Sequence, residues 1–139
     1  MYTAWQKQTR LSATSDGSSN GPGNRSLFIN MDFDDYYSLT EYASRFTADV
    51  DKYITLWFSQ VSVISRIELW EKREGNKLFR ESQIEFYVNK INDDELLDIE
   101  QVSKHLALES IFVEEGIVYG HRDIYYDFVG FMMSVGLVK

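Results

Sequence analysis

Between residues 38 and 61 the apolar side chains recur at intervals of three and four: Leu39, Tyr42, Ala43, Phe46, Val50, Tyr53, Ile54, Trp57, Phe58 and Val61. That spacing places them on one face of an α-helix. Ser38-Leu-Thr-Glu41 in front of them is a capping box, so a helix is expected from Ser38 to about residue 60. The period then changes to two. Val61, Val63, Ser65, Ile67 and Leu69 alternate with Ser62, Arg66 and Glu68, which is the pattern of a strand with one buried face. "REGNK" (73–77) offers a Gly-Asn turn, and Leu78–Val88 is expected to return as the hairpin partner. Trp70, Phe79 and Tyr87 fall off that register and are expected to face outward or to meet another element.

A second helix is expected to open at Asn92-Asp-Asp-Glu95, with Leu96, Ile99, Val102 and Leu106 at helical spacing and acids in the first turn, where the helix dipole favours them. Ile111–Tyr119 reads as a second hairpin. From Asp123 onward, Ile124, Phe128, Phe131 and Val135 step by four, three and four, with Asp123 as cap and Gly136 at the C-terminal end. A final helix is preferred there, although the Ile, Tyr, Phe and Val content also suits a long buried strand. The resulting order, β-β-α-β-β-α-β-β-α, predicts an α+β fold. It is a single domain with a mostly antiparallel sheet (two hairpins plus possible N-terminal strands) packed by two or three helices. A helix followed by a hairpin occurs twice, at 38–88 and 94–120, but the two units share too little identity to count as a repeat.

Residues 14–26 hold three of the eight glycines and the only proline among Ser and Asn, which marks a loop. Residues 1–26 therefore read as an N-terminal arm and 27–139 as the domain. Met1–Leu11, anchored by Trp5, is expected to pack as a strand or arm on the body or on a partner, with Ser26–Phe33 as a neighbouring strand. At 139 residues and 44% hydrophobic content the chain suits one domain with its own core.

Charge changes this picture more than composition does. The formal net charge is −8, but residues 1–26 hold Lys7, Arg10 and Arg25 against Asp16, a local +2 that leaves −10 for the remainder. A body that acidic is repelled by phosphates, so direct nucleic-acid binding is not expected. The chain contains no Cys, which excludes disulfides, thiolate metal sites and thiol nucleophiles. It has no run of about 18 apolar residues and no signal-peptide pattern, so a cytoplasmic protein without membrane contact is expected.

"YGHRDIYYDFVG" (119–130) spells two protein-kinase triplets, HRD at 121–123 and a near-DFG at Asp127, Phe128 and Gly130. The kinase architecture is absent. The sequence has no glycine-rich phosphate loop, Phe128 stands where the metal-binding Asn belongs, and Asp127 follows Asp123 by only four positions, which leaves no space for a catalytic loop. No G-x-S-x-G, HExxH or Walker pattern occurs either. A His121 acid–base pair with Asp123 or Glu115 is conceivable on chemical grounds. His105, late in the second helix, suits the helix dipole. The acids of "DFDD" (Asp32, Asp34, Asp35) and of Asp93–Glu100 lack the EF-hand pattern, and neither a metal nor another cofactor is expected.

What stands out is aromatic content, 15% of the chain. Tyrosines sit beside acids at Asp34, Asp35, Tyr36 and Tyr37, at Glu85 and Tyr87, and at Arg122, Asp123, Tyr125 and Tyr126. Tyr119 and Asp127 flank the same stretches, and Glu114 and Glu115 add charge at the second hairpin. Tyrosine anchors on an acidic surface suit a basic protein partner. The expected function is therefore a small cytosolic binding module that inhibits or neutralises such a partner, in the manner of an immunity protein for a toxin or an inhibitor of a nucleic-acid enzyme. The alternatives are a small enzyme or ligand-binding domain with a pocket near His121 and Asp123, or a subunit of a larger assembly.

Overall fold

A computed structural model of the chain describes residues 33–138. Among the described residues six helices pack around a three-stranded antiparallel sheet, so the α+β class holds, with more helix and less sheet than the sequence pattern suggests. The expectations for Met1–Leu11, Trp5 and most of Ser26–Phe33 lie outside the described residues, as does the division at residue 26.

A short turn at Phe33–Asp35 leads into β1 (Tyr36–Ser38). Ser38 then caps α1 (Leu39–Ser44) by accepting the Glu41 amide at 2.9 Å, one half of the expected capping box. The helix stops after six residues. Thr47 takes the Asp49 amide at 2.9 Å, a side-chain turn that competes with helical pairing, and the chain restarts as α2 (Val50–Phe58).

The expected hairpin over 61–88 is wrong. Val61–Arg73 is a helix, α3, and Ile84–Asn92 is another, α4. The buried positions of α3 are Val63, Ile64, Ile67, Trp70 and Glu71, a helical stripe that contains Val63 and Ile67 of the alternating set. Ile64 and the off-register Trp70 complete that stripe, and Tyr87, also off-register, is buried on α4. The "GN" dipeptide is a helix stop. Gly75 takes φ +74°, and its amide and that of Asn76 bond back to the carbonyls of Lys72 and Glu71 at 3.2 and 3.1 Å, which is a Schellman ending.

The second correction concerns Asn92–Glu95. These residues end α4 instead of starting a helix, with Asp94 in the left-handed region. The next helix, α5 (Ile99–His105), is capped by the Asp98 carboxylate on the Gln101 amide at 3.1 Å. The cap moves six positions, from Asn92 to Asp98, because the Asp98 carboxylate is the one that accepts a first-turn amide.

The 111–119 hairpin forms as expected, β2 (Ile111–Glu114) against β3 (Ile117–His121), with Val113 facing Val118 and Ile111 facing Gly120. Glu115 and Gly116, at φ +52° and +78°, make the two-residue turn whose twist suits paired strands. β1 pairs on the other side of β3, giving the order β1-β3-β2. The final element is a helix, α6 (Arg122–Ser134), although its cap is the His121 side chain and not Asp123. Gly120 is where sheet and helices come closest. A Cβ there would lie 3.0 Å from Leu39 Cδ1 and 3.6 Å from the Tyr125 amide nitrogen. The core between that sheet face and the helices holds Leu39, Ile54, Trp57, Phe58, Ile111, Phe128 and Met132.

Candidate functional site

His121 closes β3 and caps α6. Its ring lies between Trp70, 5.0 Å away, and Tyr36, which meets it edge-on at 5.5 Å. Nδ1 accepts the Asp123 amide at 3.3 Å and stands 3.8 Å from the Asp123 carboxylate. Burial lowers the His121 pKa from 6.5, and the nearby Asp123 and Asp35 carboxylates partly restore it. The nitrogen that a general base would offer is therefore engaged by the backbone. Asp123 is also shared with Arg73 at 3.4 Å, and Glu115 lies at the opposite end of β3 from His121.

Linked to His121 through Ser110, whose carbonyl accepts the His121 amide at 2.7 Å, is a carboxylate that the sequence did not single out. Glu71 is fully buried and receives the amides of Glu109 and Ser110 at 2.9 and 2.7 Å and the Asn76 side chain at 2.7 Å. Burial pushes its carboxyl above the ordinary range, and these hydrogen bonds pull it back. Tyr36 donates to the Glu109 carbonyl at 2.7 Å, and its pKa is raised well above normal by burial first and by Glu71 next. Together they tie the loop before β2 to α3, and the phenol stays neutral.

The expected partner-binding residues separate into three places. Asp35, Tyr37, Arg122, Asp123, Tyr125 and Tyr126 do meet, where β1 and α6 run side by side. Tyr37 packs on Tyr125 at 5.1 Å and Tyr125 on Tyr126 at 5.4 Å, while Asp35 approaches Arg122 at 3.5 Å. Asp34 lies just ahead, in the turn before β1. With Arg122 and Arg73 among its carboxylates, this face is nearly balanced in charge. Tyr36 points to the other side of the sheet, onto Phe112. Glu85 is exposed on α4, but Tyr87 is buried with its hydroxyl on His105 Nδ1 at 2.5 Å. Glu114 and Glu115 are at the hairpin tip.

That tip borders an acidic concavity. A groove of about 480 Å³ runs between α2, the start of α5 and the hairpin, with Ile54, Leu97, Val113 and Val118 as apolar lining and Asp51, Asp98 and Glu100 as its carboxylates. Gly116 forms part of the wall. Lys104 pairs with Glu100 at 3.1 Å, and Asp98 is partly spent on its cap. The signal for two of these acids was in view in the Asp93–Glu100 run, but a run of acids does not say which members share a concavity with Asp51, almost fifty residues away.

A second groove, about 520 Å³, lies between the α2–α3 junction and α6. Asp127 stands at its edge, accepting the Trp57 indole at 2.8 Å and holding Arg66 by contacts of 2.6 and 3.1 Å. This is the residue that completes the kinase-like spelling, and its work here is to join three helices. Among the described residues no three His, Asp or Glu side chains are grouped to hold a metal ion, and no helix is long and apolar enough to cross a membrane. Comparison of the chain with protein-family models, with curated protein sequences and with solved structures finds no match to any of them.

Proposed function

We propose that the protein is a small cytosolic binding module that neutralises a basic protein partner, such as a toxin or a nucleic-acid enzyme, by seating a Lys- or Arg-bearing segment in the groove between α2, α5 and the β2–β3 hairpin. The groove itself carries this reading: Asp51, Asp98 and Glu100 surround apolar lining, next to Glu114 and Glu115 at the hairpin tip. A long basic side chain can lay its methylenes on such a lining while its charged end meets carboxylates. The −10 balance beyond residue 26 would steer a basic protein toward it, most strongly at low ionic strength. The tyrosines at the β1–α6 junction supply a second contact zone with less charge.

Affinity purification of the tagged chain from its native host at low salt tests the proposal. A basic partner should be recovered by the unaltered chain and lost from a chain carrying Asp51→Lys and Glu100→Lys. Recovery of acidic proteins only, or of the same partner by the reversed-charge chain, would overturn it.

A further inference from the structure

His121 caps α6 in a position that Ser, Thr, Asp or Asn usually fills. The choice has a chemical consequence. A hydroxyl or a carboxylate accepts a helix amide throughout the neutral range, whereas an imidazole nitrogen accepts one only while it carries no proton. The His121 side chain is 17% exposed, so water reaches it.

One nitrogen faces two groups of the same residue. Nδ1 accepts the Asp123 amide at 3.3 Å and lies 3.8 Å from Oδ2 of the Asp123 carboxylate. That oxygen is already in use, because Nη2 of Arg73 donates to it at 3.4 Å and so ties the end of α3 to the first turn of α6. A proton on Nδ1 reverses the nitrogen's role. It stops accepting, becomes a donor, and turns to the oxygen that Arg73 holds. A cation in the cap position also opposes the helix dipole, which adds to the loss of the cap.

We propose that His121 is a proton-operated latch at the start of α6. Neutral, it caps the helix and leaves Asp123 to Arg73; protonated, it gives up the Asp123 amide, takes the Asp123 carboxylate and releases Arg73 from α6. The surrounding charges set where the latch turns. Asp123, Asp35 ahead of β1 and Glu74 at the end of α3 favour the proton, Arg122 and Arg73 oppose it, and Tyr36 on β1 stays neutral. Burial outweighs the carboxylates and holds the His121 pKa below 6.5, so the latch is closed at neutral pH and opens on acidification. Opening brings a further positive charge to the face where Asp35, Tyr37, Tyr125 and Tyr126 meet, and leaves Arg73 with Glu74. The acidic groove between α2, α5 and the hairpin takes no part in it.

Two-dimensional NMR of the full chain, titrated from about pH 8 to about pH 5, tests the latch. The Asp123 amide and the Arg73 guanidinium signals should move with the same midpoint as the His121 ring. In His121→Asn, which keeps a capping side chain that does not titrate, both should stay still. Asp123→Asn removes the carboxylate that the protonated ring turns to, so His121 should bind its proton at least about threefold less tightly and the Arg73 signal should cease to follow it. An Asp123 amide that stays still while the ring titrates would overturn the proposal, as would an Arg73 signal that follows His121 equally well in Asp123→Asn.

Discussion

Glu71 and Asp127 are both carboxylates that join elements far apart in sequence, and they do so in opposite surroundings. Glu71 is fully buried and is met by uncharged donors, among them two amides and Asn76. Asp127 sits at a groove edge, 22% exposed, with a guanidinium and an indole as partners. Burial without a cation leaves Glu71 sensitive to its own protonation, whereas Asp127 has a cation at 2.6 Å and a route to water. The first makes the loop before β2 part of the core, and the second fastens α6 to α2 and α3 from outside.

The largest expected effect is at the buried member. Glu71→Ala leaves three donors without acceptors at a cost of about 1–3 kcal/mol each where water cannot replace them, so a loss of about 3 kcal/mol or more is expected in urea unfolding. A loss below about 1 kcal/mol would mean that the loop relaxes to water and that the network is incidental. Asp127→Ala should cost less, about 1–2 kcal/mol, chiefly for the orphaned Trp57 indole. If it cost more than Glu71→Ala, the ranking by burial would be broken.

The pH dependence sharpens the contrast. Because the folded Glu71 pKa is raised above 4.5, the folded state holds that proton more tightly than the unfolded chain does. Its contribution is complete below 4.5 and declines as pH rises through the higher folded value, so the stability of the native chain relative to Glu71→Gln should fall as pH rises from 4.5. His121 works the other way. Its folded pKa lies below 6.5, so its contribution is present above 6.5 and is lost as pH falls toward the folded value. His121→Asn keeps a capping side chain and should remove that loss, visible in melting temperatures between pH 7 and 5. The smallest stability effect is expected at the acidic groove, where Asp51→Lys should change unfolding by no more than about 0.5 kcal/mol.

The fold was legible where two independent signals agreed. Ser38 with Glu41 and a helical apolar stripe located α1, and a Glu-Gly turn between β-branched runs located the β2–β3 hairpin. The 61–73 segment failed because Val63 and Ile67 fit both a period of two and a period of 3.6. Trp70, off the strand register, and Ile64, outside the alternating set, are the buried residues that decide between them. Gly75-Asn76 was equally ambiguous, since the same dipeptide serves hairpin turns and helix endings. For the candidate site, the sequence indicated acidity but not its location. Asp51 and Glu100 share a groove only because α5 starts at Ile99, and that depended on which of two neighbouring acids took the cap. Glu71 was invisible because its donors are backbone amides, which leave no mark in the sequence.

The kinase-like "YGHRDIYYDFVG" also leaves the molecule with built-in optical reporters. Two indoles lie among the described residues, and each touches one end of that stretch. Trp70 lies 5.0 Å from His121 with its ring tilted by 52°, while Trp57 donates to Asp127 beside Arg66. A protonated imidazole quenches a neighbouring indole, so Trp70 emission should drop on acidification below 6.5 and should cease to do so in His121→Asn. Trp57, tied to the other end of the stretch, would register events at the α6 groove. Single-tryptophan variants that keep only Trp70 or only Trp57 of the three would thus follow the two ends of this segment separately, with no label attached.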